Sequence, residues 1–131
     1  MSSDSHPGLH APRPNPASAQ HPTVLVTGAS SGIGWATALE MAGRGWRVLA
    51  GVRRPVDGEA LVQAAADGGA AGSVEWLSLD LLRPGDIAAA ADHVRRVSQG
   101  AGLDGLVNSA GVALAGPLEL LPVERLREQL E

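Results

Sequence analysis

The chain has 131 residues, a formal net charge of −4 and no cysteine; this fits one small domain or part of a larger one and excludes disulfides, thiolate catalysis and zinc–thiolate sites. Its 44% apolar content includes no Phe and no Tyr, so the core must be assembled from small and aliphatic side chains, which suits close packing of helices on a sheet. All ten basic residues are Arg and none is clustered into a long run, so the chain offers no nucleic-acid surface, no Schiff-base amine and, without Tyr, no phenolic acid.

Residues 1–21 are rich in Ser, Pro and His, with no apolar run and no Arg-Ser bias, which predicts a disordered tail and not a signal or transit peptide. No segment is long enough to span a bilayer, so no membrane partner and a cytoplasmic location are expected. From residue 22 short apolar runs alternate with Ala-rich helical stretches, the pattern of βα units around a parallel sheet. Residues 23–26 read as a buried strand, and residues 28–34 as a turn into a helix that runs to about Arg44 and is capped by Gly45. A second strand is expected over 46–52, a helix over 56–66 ending at Asp67, Gly68 and Gly69, and a third strand over 74–79. Pro84 opens a helix to about Ser98, with Ile87, Ala90, Ala91 and Val94 at helical spacing, before Gly100 and Gly102 break it and 106–109 form a fourth strand. A last helix begins near Pro122 with Val123, Leu126 and Leu130 on one stripe, and the sequence stops at Glu131 without a helix stop signal, which reads as a truncation inside a helix.

These elements predict that residues 22–131 form the N-terminal half of a Rossmann-like, doubly wound α/β sheet. The expected strand order is 3-2-1-4, with a ligand crevice where the order reverses beside the first strand.

Strand, then Thr27-Gly28-Ala29-Ser30-Ser31-Gly32-Ile33-Gly34, then helix is the context a phosphate-binding turn requires. Gly28 allows a sharp exit from the strand, Gly32 lets the backbone approach a pyrophosphate without a side chain between, and Gly34 lets the helix pack closely. The helix N-terminus presents free N–H groups to an anion, with the hydroxyls of Thr27, Ser30 and Ser31 near enough to help and Ile33 within the same turn. The bland alternative is a Gly-Ser turn without a ligand.

The wording of this turn resembles that of the short-chain dehydrogenases/reductases, whose glycine spacing is G-x-x-x-G-x-G. Three further motifs carry the resemblance from about Thr23 to Glu131. Leu79-Asp80-Leu81 ends the third strand where that family places an acidic side chain on the adenine amino group. Asn108-Ser109-Ala110-Gly111 ends the fourth where the family has N-N-A-G, with Ser109 in place of the second Asn. Gly116-Pro117-Leu118 before a helix is similar to the family's next connection. The bland alternatives are a turn or cap residue for Asp80 and a polar strand end for Asn108 to Gly111.

An acid about 20 residues beyond the glycine turn would meet the ribose of NAD. Here the second strand ends Gly51-Val52-Arg53-Arg54, and guanidinium forks match a 2′-phosphate, which makes NADP the expected cofactor over NAD. By resemblance Arg53 occupies the position where NADP-preferring members carry Arg; the alternative is a solvated Arg pair.

The resemblance implies hydride transfer between a nicotinamide dinucleotide and an alcohol or carbonyl carbon, using a Tyr acid/base, a Lys, a Ser and an Asn that this chain does not supply at matching positions. The chain is therefore expected to be the cofactor-binding half of such an oxidoreductase, catalytically incomplete as it stands. The alternatives are a nucleotide-binding module without catalysis, or an inert fragment. Full-length relatives are expected to be homo-oligomers. Trp35, Trp46 and Trp76 read as packing residues, two in strands and one starting a helix. His93 reads as a surface residue on a solvated helix face, and His6, His10 and His21 as tail residues without metal spacing.

Overall fold

In the computed structural model, which describes residues 21–113 and 115–130, strands and helices alternate along the chain. The order is β1 (Thr23–Thr27), α1 (Gly32–Gly43), β2 (Arg47–Val52), α2 (Pro55–Asp67), β3 (Ser73–Ser78), α3 (Pro84–Val97) and β4 (Gly105–Asn108). A short 3₁₀ turn (Leu118–Leu120) and α4 (Val123–Leu130) follow. Of the expected tail over 1–21, residues 1–20 lie outside the described residues, as do Leu114 and Glu131, while His21 Nδ1 lies 3.1 Å from the Gly45 carbonyl oxygen.

The four strands form one parallel sheet in the order β3-β2-β1-β4, the order expected. In register, Val24 lies opposite Val48 on one side and Gly105 on the other. β1 is buried along its whole length, which is why its sequence is a continuous apolar run with no alternation: a parallel strand is covered on both faces. Pro55 and Pro84 start α2 and α3 at the one helical position where a missing N–H is harmless.

Two apolar clusters sandwich the sheet. On one face Val24, Val26, Val48, Ala50 and Val52 meet Ala38 and Ala42 of α1 and Leu61 of α2. The small residues of α1 let its backbone settle close to the strands, which is how a chain without Phe or Tyr reaches a dense core. On the other face Leu25 and Leu49 pack with Val94 of α3. α1 and α2 thus share one face and α3 takes the opposite one, as right-handed crossovers require when the strand order reverses. β4 is an edge strand, and its Leu106 remains 55% exposed on the α3 side.

Three sequence expectations change. Trp35, Trp46 and Trp76 all pack against the first cluster, but Trp46 precedes β2, its amide hydrogen-bonded to the carbonyl of Met41 at the end of α1 (3.1 Å). Trp35 sits inside the first turn of α1, beyond its start. His93 is not on a solvated face. Its side chain is 22% exposed, Nε2 lies 2.8 Å from Glu75 Oε1 on β3, and Nδ1 lies 3.0 Å from Arg96 Nη2. Position 93 borders the buried stripe of Ala90 and Val94, and the register that sets Glu75 opposite Leu49 turns both toward α3.

Candidate functional site

The turn after β1 is held by its neighbours on both sides. The amide of Ala29 donates to the carbonyl of Gly51 at 3.0 Å, fixing the turn to β2. Gly28 adopts a φ of +65°, and a side chain there would bring a Cβ within 2.6 Å of Ala110 Cα, so the β1 and β4 ends meet backbone to backbone. A Cβ on Gly34 would overlap the Gly28 carbonyl, so α1 can begin directly on top of the turn because this position is glycine. At Gly32 (φ +56°) a Cβ would meet nothing within 4 Å. Open space therefore faces the backbone there, at the N-terminus of a helix whose capping Ser31 makes no side-chain cap hydrogen bond.

Thr27 departs from its expected part. Its side chain is buried, and its Oγ1 accepts the amide hydrogens of Ser109 and Ala110, both at 3.1 Å, while donating to the Val107 carbonyl at 3.4 Å. The hydroxyl is directed at the loop after β4 and not at an incoming anion. Ser30 and Ser31 remain on the open side of the turn.

A cleft of about 630 Å³ runs across the C-terminal ends of the strands, the location where open α/β sheets bind ligands. Gly28, Ser30, Ser31 and Ile33 form one wall, and Ala110 and Gly111 another. Arg53 stands at the end of β2, and Asp80 and Leu81 follow β3. Asp80 is held in place: its amide donates to Asp86 Oδ2 (3.0 Å), its Oδ1 accepts the Leu82 amide (3.0 Å), and Arg83 Nε lies 3.8 Å from its Oδ2. Asp80 thus borders the cleft with Oδ1 tied to the local turn and Oδ2 beside Arg83. Asn108 pairs with Thr27 in the sheet register and is not part of the cleft wall, nor are Gly32 and Gly34.

The two arginines after β2 behave differently. Arg53 has no ion pair or hydrogen bond among the described residues and lines the cleft. Arg54 is engaged by Asp57: Nε donates to Oδ2 at 2.9 Å and Nη2 to Oδ1 at 2.8 Å. The hydrogen bond to the carboxylate, and then its negative charge, hold the Arg54 guanidinium above its ordinary pKa. A side pocket of about 440 Å³ connects the two through Ser30, Ser31, Arg53, Arg54 and Asp57.

The cleft also has walls that the sequence reading did not include. Leu79, 6% exposed, packs where any side chain on Gly51 would collide with it. Glu128, Gln129 and Leu130 of α4 return to the cleft, and Gln129 Nε2 donates to the Val112 carbonyl at 2.7 Å. No local motif announces that return, because it depends on the path of residues 112–122. Among the described residues no helix is long and apolar enough to cross a membrane, and no group of three His, Cys, Asp or Glu could hold a metal ion.

A parallel α/β sheet with a glycine turn at the reversal of its strand order defines a Rossmann-like fold with its cleft at the switch point. The family model described as short chain dehydrogenase matches residues 22–131. An Escherichia coli K12 protein named as the uncharacterized oxidoreductase YbbO is 36% identical over 107 residues, covering 82% of this chain and 36% of that protein. A short-chain dehydrogenase from Sphingobium yanoikuyae, solved in complex with NADPH, superposes with a TM-score of 0.68 at 37% identity, over 83% of this chain and 41% of the other. A metagenomic short-chain oxidoreductase in complex with NADP superposes with a TM-score of 0.70 at 32% identity, over 83% of this chain and 48% of the other. The chain belongs to the short-chain dehydrogenase family. It spans about a third of the length of the curated relatives it matches, 36% in the case of YbbO.

Proposed function

We propose that residues 22–131 are the NADP-binding part of a short-chain oxidoreductase acting on an alcohol/carbonyl pair, and that this chain alone binds the cofactor without turning over substrate. The observation that carries the reading is Gly32, whose backbone faces open space at the start of α1 beside a cleft large enough for a ligand. The NADPH and NADP complexes of the similar Sphingobium and metagenomic proteins support it.

In this reading the free amides of the first turn of α1, with the hydroxyls of Ser30 and Ser31, hold the diphosphate. Arg53, unpaired and at the cleft, takes the 2′-phosphate through charge-assisted hydrogen bonds. Asp80 and Leu81 bound the adenine end, and Ala110 and Gly111 form the facing wall. Thr27 and Asn108 act indirectly, by fixing β1 to β4. Bound there, the nicotinamide would donate the hydride as NADPH or accept it as NADP+. A proton must also move at the reacting oxygen, and 131 residues without Tyr or Lys supply neither the phenol nor the amine that the family uses for it. The same absence favours, as a second reading, a nucleotide-binding module with no catalysis of its own.

The test is titration of the purified chain with NADPH by cofactor fluorescence, followed by assay with a panel of aldehydes and ketones. Saturable binding without substrate-dependent oxidation is expected. Absence of binding contradicts the cofactor assignment, and protein-dependent NADPH oxidation contradicts the catalytic one.

A further inference from the structure

We propose that Asp57 limits the preference of this site for NADP over NAD by occupying Arg54, so that one guanidinium and not two is free for the 2′-phosphate. The inference rests on the cofactor reading above and adds to it a specificity-determining residue.

Arg54 is the residue before α2, and Asp57 lies in the first turn of that helix. The backbone closes the loop between them, with the Asp57 amide donating to the Arg54 carbonyl at 3.1 Å. The side chains then form a two-pronged ion pair. Exposure is unequal: the Asp57 side chain is 18% exposed and the Arg54 side chain 73%. The sheltered carboxylate is therefore the fixed partner and the arginine is the group pinned to it. Its helix is firmly seated, with Leu61 fully buried and Gly58 so close to the Trp76 ring that a Cβ has no room. Asp57 cannot drift away with its arginine.

The side pocket holds both guanidiniums, this carboxylate and the hydroxyl-bearing Ser30 and Ser31. With Asp57 ionised, Arg54 is neutralised and two of its five N–H donors are taken. A 2′-phosphate bringing about two negative charges meets one free cation at Arg53 and a nearby carboxylate that repels it. Removing the carboxylate while keeping the side-chain shape releases the second cation and removes the repulsion. NAD, which lacks that phosphate, is indifferent to both changes.

The experiment compares the unmutated chain, Asp57→Asn, and Asp57→Asn combined with Arg54→Gln, each titrated calorimetrically with NADPH and NADH at one fixed low ionic strength. Asp57→Asn is expected to tighten NADPH by roughly twofold to fivefold, the range of an exposed charge contact, with NADH unchanged; adding Arg54→Gln removes the gain. Asp57→Ser, also free of the carboxylate, gives the same direction and stands in if the Asn variant folds poorly. Weaker or unchanged NADPH binding in the carboxylate-free variants, an equal shift for both cofactors, or a gain that survives Arg54→Gln overturns the inference alone. Failure of the unmutated chain to bind either cofactor overturns the cofactor reading and the inference together.

Discussion

The Oγ1 of Thr27, at the end of β1, accepts hydrogen bonds from the amides of both Ser109 and Ala110 beyond β4, each 3.1 Å away. One buried hydroxyl thus sets the distance between the glycine turn and the opposite wall of the cleft. Thr27→Val keeps the shape and removes the acceptor, leaving the amides of Ser109 and Ala110 without their partner. The expected loss is about 1 to 3 kcal/mol of stability by urea unfolding, with weaker NADPH binding because the wall at 109–111 is no longer fixed. Thr27→Ser restores both. Unchanged stability in the Val variant would mean that water replaces the hydroxyl.

The glycines of the turn are expected to separate folding from binding. Gly34→Ala places a methyl group against the Gly28 carbonyl and Gly28→Ala places one against Ala110, backbone atoms that cannot give way. Both variants should lose cooperative thermal unfolding as followed by circular dichroism. Gly32→Ala meets no atom within 4 Å; it carries the strain of a positive φ, about 1 kcal/mol, and should still fold. In the proposed function its methyl group would stand where the diphosphate approaches, so NADPH affinity should fall by roughly tenfold or more, the equivalent of one lost charge-assisted hydrogen bond. A Gly32→Ala chain that folds and binds normally would remove the turn from the site.

The open side of β4 has its own consequence. Leu106 is 55% exposed beside an unpaired strand edge, and Val123 and Leu130 of α4 are 58% and 79% exposed. An apolar parallel edge associates with other edges unless charge interrupts it. Sedimentation of the chain at increasing concentration should show self-association, and Leu106→Lys should shift it toward the monomer. A concentration-independent monomer in the unmutated chain would contradict this.

The sheet was legible in the sequence because its local signals agree: continuous apolar runs for the two-sided burial of β1 and β2, proline at helix starts, glycine after helix ends. Strand and helix limits differ from the observed ones by a residue or so, as at Ser73 and Gly105. The glycine turn, Arg53, Asp80 and Ala110 reach one cleft as their order along the chain implied. Side-chain commitments were not legible. Nothing in the string Arg53-Arg54 distinguishes the free cation from the pinned one; that follows from Asp57 being three residues on, at the start of a helix. Thr27 serves residues 82 and 83 positions away, and His93 a strand separated by a loop. Such partners are created by register.

The measurement that bears most directly on the account is the ratio of NADPH to NADH affinity in the unmutated chain and in Arg53→Ala, by fluorescence titration at low ionic strength, where exposed charge contacts are least screened. With one guanidinium on the 2′-phosphate, NADPH should bind roughly tenfold better than NADH, and the substitution should erase most of that ratio while leaving NADH affinity nearly unchanged. Equal affinities in the unmutated chain, or equal loss of both cofactors in Arg53→Ala, would contradict the assignment of this cleft to NADP.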